Sequence, residues 1–283
     1  MKNKIFITVL FLVTNIVSFA QFQKHQIGVF VGGGIQTLLY KPLMAEHKQG
    51  FGATMSFDYR YFINKQWSVG TGIGLSSYAA KAEINASVGE THYDDINIED
   101  FEYKTAYNDW TEKQNLLQME IPIAVYYHYT IKNDWMFLGG LGVKTAFPIF
   151  NNYKVTGENY VTTGYYESTG VEYRDMPQHG FYTQEADLKG KSDMHIADIL
   201  LFTDLGVTHT INSSTDFFIG LYCSYGLTSQ INDSDDSLFS AEDYTGMLSS
   251  SEVNTLHNFA MGLKVGVLKK IGTINSPLFH RGK

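Results

Sequence analysis

The chain has a single cysteine, Cys223, so no intramolecular disulfide can form even in an oxidising compartment, and stability must come from the sheet. No apolar run of about eighteen residues follows residue 20, which excludes a helical membrane protein. Positive charge is in deficit, with 21 Lys and Arg against 29 Asp and Glu. Taking away Lys2 and Lys4 with the first twenty residues leaves 19 − 29 = −10, a balance that argues against a nucleic-acid partner. The nine histidines show no HExxH or other ligand spacing. Asp94-Asp95 and Asp233 to Asp236 offer hard oxygens without the spaced ligands and glycine of a calcium loop, so no metal or cofactor is expected.

What the chain does have begins with an export signal. Lys2 and Lys4 precede the apolar run Ile5 to Val17, and Ser18-Phe19-Ala20 places small residues at the minus-three and minus-one positions of a signal-peptidase site. Residues 1–20 are therefore expected to be a signal peptide, and no cysteine follows the cut to accept a lipid. Aromatics and glycine are plentiful, with 19 Tyr, 19 Phe and 26 Gly.

The stretch Phe51 to Ile63 sets the pattern for the rest. Phe51, Ala53, Met55, Phe57, Tyr59, Tyr61 and Ile63 alternate with Gly52, Thr54, Ser56, Asp58, Arg60 and Phe62, as in a strand with two chemically different faces. It exceeds the roughly nine to eleven residues a tilted strand needs to cross a bilayer. Similar alternation recurs over His25–Ile35, Trp67–Ala79, Leu117–Tyr129, Trp135–Phe147, Asp198–Thr208, Phe217–Thr228 and Asn258–Val267. Pro122 should fall where the ladder is irregular, because it has no N–H to give. Asn64-Lys65-Gln66, Ile131 to Asp134 and Asn212-Ser213-Ser214 are short turns. Between them lie four long connections: Thr37 to Gly50, the acidic Lys81 to Gln114 where alternation lapses, the Tyr-rich Pro148 to Asp193, and a serine-rich acidic stretch before the eighth strand. Tyr153 to Tyr166 reads as a hairpin extension above the membrane.

Short and long connections in strict alternation predict an all-β, eight-stranded antiparallel up-and-down transmembrane β-barrel over residues 21–271, with short periplasmic turns, four long extracellular loops and a tail at 272–283. The charges agree: Asp58, Arg60, Glu120, Lys144, Asp204 and Lys264 all fall on the glycine-bearing face. On the lipid face a mid-bilayer Arg or Lys would cost about 2–4 kcal/mol. An eight-stranded barrel is only wide enough inside for its own side chains, so these six are read as a paired lumen network that plugs the barrel rather than a pore. Inward glycines would leave room for Phe30, Tyr126, Phe202 and Tyr222. Trp67, Tyr129, Trp135 and Phe217, beside short turns, are expected to form a periplasmic aromatic girdle in contact with outer-membrane lipid. A soluble lipocalin-like barrel would turn the pattern inside out.

LLQMEIPIAVYYHY at Leu116 to Tyr129, WMFLGGLGVKTAF at Trp135 to Phe147 and LYCSYGLTSQIND at Leu221 to Asp233 resemble strands of the PorT-like outer-membrane β-barrel proteins of Bacteroidetes. TTGYY at Thr162 to Tyr166 and DMPQHGF at Asp175 to Phe181 are similar to segments of Bacteroidetes barrels that carry an OmpA-type periplasmic domain, although only Ile271 to Lys283 follows the last strand here. The resemblance implies a barrel of the OmpX, OmpA and PorT kind located in the outer membrane. It departs in ending Phe279-His280-Arg281-Gly282-Lys283 rather than on an aromatic.

No spacing of His128, His195, His209, His257 and Ser224 selects a catalytic triad. The expectation is a non-enzymatic monomer with a structural or surface-interaction role, its Tyr-rich loops suited to protein or glycan contacts. The alternatives are an accessory of type IX-like secretion, which the resemblance implies, a small porin, and the soluble binding barrel.

Overall fold

The computed structural model describes residues 24–84, 87–94, 99–132, 134–157, 159–185, 187–232, 234–235, 238 and 244–271. The expected signal peptide and the tail at 272–283, with Phe279, lie outside them. The strands are β1 His25–Leu39, β2 Glu46–Gln49, β3 Phe51–Phe62, β4 Trp67–Ile84, β5 Ser87–Asp94, β6 Glu99–Asn108, β7 Trp110–Lys132, β8 Trp135–Thr156, β9 Asn159–Tyr166, β10 Val171–Tyr173, β11 Thr183–Glu185, β12 Lys189–Gly190, β13 Asp198–Asn212, β14 Thr215–Gly226 and β15 His257–Ile271.

Eight of them, β1, β3, β4, β7, β8, β13, β14 and β15, pair antiparallel each to the next. The ring closes where β15 pairs β1, from His25 opposite Ile271 to Leu39 opposite His257. This is the up-and-down barrel that the alternation predicts, and it leaves no open edge within the ring. The β4–β7 ladder breaks between the rungs Thr71–Ile123 and Gly74–Glu120, at Pro122, which has no amide proton to contribute.

Through the lower part of the ring the outside is apolar, and the inside holds the charged residues beside an aromatic filling. Val29, Met55, Phe57, Ile73, Ile123, Val143, Leu205, Ile219 and Leu263 point out and are exposed, while Asp58, Arg60, Glu120, Asp204 and Ser224 are buried inside. Higher up, three neighbouring strands reverse this. In β4, Ala80, Ala82 and Ile84 are buried inward and Lys81 is exposed outward; in β7, Trp110 and Leu116 are buried while Lys113 and Asn115 are exposed; in β8, Tyr153 and Val155 are buried while Asn152 and Lys154 are exposed. The reversal falls on one level, since Leu75 pairs with Met119 and Met119 with Phe147. Above that line the strands follow the ordinary rule for a protein wall in water.

This reversal corrects the reading of Lys81 to Gln114 as a lapse into exposed loop. β4 runs on to Ile84, β7 starts at Trp110, and β5 and β6 form a hairpin between them. Tyr153 to Tyr166 is not one hairpin: Tyr153 pairs with Gln114 of β7, whereas β9 pairs with β6. β5, β6, β9, β10 and β11 build a second, five-stranded sheet from the second and third long loops. β2 adds to β4, and β12 to β8.

Candidate functional site

The interior of the ring is filled in three layers. At the short-turn end, Phe30, Ala124, Tyr126, Leu138, Phe202, Phe218 and Leu268 form a buried cluster, with the Phe30 and Phe218 rings edge to face at 5.6 Å. Glycine makes the space: a methyl at Gly140 would lie 2.5 Å from the Tyr126 ring, and one at Gly266 would lie 2.2 Å from Phe30. Both distances are far inside carbon contact, so the aromatic filling and the glycines opposite it are one arrangement.

Against this cluster, and reaching into it at Arg60, lies the ionic layer formed by the six candidate lumen residues, all of them inside the ring. Lys144 Nζ donates to Glu120 Oε2 at 2.8 Å and Lys264 Nζ to Asp204 Oδ2 at 2.9 Å. Arg60 is looser, its Nη2 being 3.8 Å from Asp58 Oδ2; its guanidinium lies 4.0 Å from the centre of the Tyr126 ring, an attraction that strengthens out of water. Glu120 also accepts from Tyr78 and Gln118. Pairing of this kind is what buried charge requires. Five of the six, all but Arg60, line a cavity of about 40 Å³ together with Gln36, Tyr126 and Tyr222, which has room for water and little else.

The third layer was not foreseen. The described parts of 227–256, namely 227–232, 234–235, 238 and 244–256, fold back over the mouth and bury Ile231, Leu238, Tyr244, Met247, Leu248, Val253 and Leu256 against Tyr78, Trp110, Leu116 and Tyr153 of the wall. The cap is pinned by carboxylates. Glu112, buried on β7, accepts from the Tyr244 hydroxyl and from the Met247 amide at 2.9 Å. Glu252 of the cap accepts from the Met44 amide at 3.1 Å, and the Leu43 amide donates to its carbonyl. Burial pushes both carboxyls above their usual range, and it pushes the Tyr40 and Tyr244 phenols up as well. The acids of the second loop read as solvated in sequence; the signal that singles out Glu112 is its place between Trp110 and Gln114 on the inward set.

On the outer surface Trp67, Tyr129, Trp135 and Phe217 stand at the short-turn end, 37 to 57% exposed. Trp67 packs on Tyr127 with ring centres 4.9 Å apart, and Trp135 on His209 at 4.6 Å. Phe51, Phe150 and Tyr225, also exposed, mark the other edge of the apolar belt and were missed, because they abut loop sequence. Phe51 and Tyr61 lie 61 − 51 = 10 residues apart on one strand, about 33 Å of strand and about 25 Å of height at the usual tilt.

The histidines are engaged locally. His128 is bonded to Ser68 Oγ at 2.9 Å, His195 to Asn232 at 2.6 Å, and His257 to the Gly226 carbonyl at 3.1 Å. Among the described residues no group of three His, Cys, Asp or Glu is placed to hold a metal. Of the acids proposed for calcium, Asp95, Asp233 and Asp236 lie outside the described residues.

No family model and no curated protein matches the chain. Among solved structures it is similar to the Neisserial surface protein A, at 10% identity and a TM-score of 0.36, over 88% of this chain and 97% of that one. It is also similar to the outer membrane protein OprG from Pseudomonas aeruginosa, at 10% and 0.39 over 90% and 99%, and to Ail, the attachment invasion locus protein of Yersinia pestis, at 11% and 0.30 over 87% and 99%. At these scores the likenesses carry no argument, and the barrel is read from its own strand pairing.

Proposed function

We propose that this chain is a non-enzymatic outer-membrane β-barrel, exported as a precursor and monomeric, with a structural or surface-interaction role. One observation carries the reading: the wall is apolar outside with its charges inside up to the level of Leu75, Met119 and Phe147, and above that level β4, β7 and β8 turn charged and polar residues outward and apolar ones inward. A strand obeys opposite rules along its length only if its surroundings change from hydrocarbon to water at that height. The belt of about 25 Å matches the apolar band of bacterial barrels. Aromatics at both edges suit headgroup depth, which supports Trp67, Tyr129, Trp135 and Phe217 as the periplasmic girdle.

The same surface opposes a soluble lipocalin-like barrel, and three filled layers oppose a porin. Contact with a protein or glycan falls to the five-stranded loop sheet, where the Phe101 and Tyr166 rings stack at 5.1 Å and Tyr173 is exposed. The test is detergent extraction from outer membranes followed by electrophoresis with and without boiling. A closed barrel migrates differently in the two states; recovery in the soluble fraction, or one mobility throughout, rejects the proposal.

A further inference from the structure

Charge is unevenly divided between the two ends of the barrel. The long-loop end carries most of the acids. At the short-turn end Lys24, Lys65, Lys132 and Lys269 are exposed or half-buried, and none is in an ion pair among the described residues. The acids there are Asp134, half-buried, and Asp216, which is fully buried and held by Lys270 at 2.9 Å. The lysines lie along one arc of the ring, β15–β1–β3–β4–β7: Lys269 and Lys24 at the β15–β1 seam, Lys65 in the β3–β4 turn and Lys132 at the end of β7.

Three of them also stand beside the apolar belt. Lys65 is two residues from Trp67, Lys132 pairs with Trp135, and Lys269 lies between Ile27 and Thr215, two residues beyond the outward Val267. A lysine so placed lays its methylenes on the apolar wall and carries its ammonium out to headgroup level. An ammonium beside an interfacial aromatic ring provides a donor for phosphate and a seat for the glycerol region.

We propose that the short-turn rim, through Lys24, Lys65, Lys132 and Lys269, is a binding surface for anionic phospholipid headgroups of the leaflet on that side. This rests on the membrane-barrel reading and adds the lipid class and the side. The partner is a lipid held in the bilayer rather than free phosphate, because the lysines are set out one strand end after another along the β15-to-β7 arc beside the belt.

The test uses the full barrel reconstituted in vesicles of brominated phosphatidylglycerol or brominated phosphatidylcholine, with tryptophan fluorescence as readout, since Trp67 and Trp135 lie in the rim. Quenching in mixtures should give an association preference for the anionic lipid of about fivefold per engaged lysine. That preference should be lost in the triple variant K65Q/K132Q/K269Q, weakened in K132Q alone, kept in K113Q at the opposite end, and unaffected by millimolar inorganic phosphate. Equal quenching by both lipids, or a preference that survives the triple variant, overturns the proposal. Displacement by inorganic phosphate overturns the lipid as partner. Failure of the wild-type barrel to show any lipid quenching would instead overturn the membrane reading, and boiled and unboiled gels of the same vesicles separate the two failures.

Discussion

Lys144 and Glu120 show what a single residue contributes here. Each is largely shielded from water and each has the other as its charged partner. Replacing Lys144 with Met leaves the carboxylate buried and unpaired, a loss of about 3–5 kcal/mol, whereas replacing both with apolar residues of similar volume should be close to neutral. The urea midpoint for loss of the unboiled gel form measures both variants. Gly266→Ala tests the lower layer: its new methyl meets the Phe30 ring and the Val29 carbonyl, so overpacking of about 1–3 kcal/mol is expected by the same assay. The six charges could be assigned to the inside from sequence because lipid tolerates none of them outside. Their pairing could not, since it joins residues 24 and 60 positions apart.

At the level of elements, β7 explains why the chain was only partly legible. From Met119 to Tyr129 its outward set is apolar; from Trp110 to Leu116 the outward set is Thr111, Lys113 and Asn115, and the apolar residues point inward. The period of two never stops, but its phase inverts, and a pattern sought in one phase reads the upper half as loop. The cap was illegible for another reason: the sequence from 227 to 256 has no period, and the burial of Ile231, Tyr244, Met247 and Leu256 depends on a wall supplied in large part by β4, β7 and β8. Glu112 gives the cap a pH dependence. Burial under the closed cap pushes its carboxyl up by more than the hydrogen bonds from Tyr244, Gln114 and Met247 pull it down, so the closed cap binds the proton more tightly than an open one would. Closure is then favoured at low pH and loses that contribution as pH rises above the ordinary value of 4.5. The Tyr40 and Tyr244 phenols beside it, also pushed up, stay neutral across that range. Hydrogen exchange of the 244–248 amides, corrected for intrinsic rate, should show protection falling from pH 4 to pH 7 in the wild type, and falling less in Glu112→Gln, where Glu252 alone of the two pinning carboxyls still titrates.

The whole molecule is a closed wall around a filled interior. Current through a single barrel in a planar bilayer should not rise above leak at neutral pH, because the Tyr126–Phe218 layer and the cap enclose the ionic layer from both ends; discrete steps would mean that a layer moves aside. β4, β7 and β8 each continue nine residues past the reversal level, from Leu75 to Ile84, from Met119 to Trp110 and from Phe147 to Thr156. That is about 30 Å of strand, and the loop sheet, whose β9–β10 hairpin has the four-residue tip Glu167 to Gly170, is connected to the far ends of these strands. A reagent too bulky to penetrate a sugar coat, such as an antibody or a phage tail fibre, would meet that tip first, so a peptide tag inserted there should be stained on intact cells that hide the rest of the barrel.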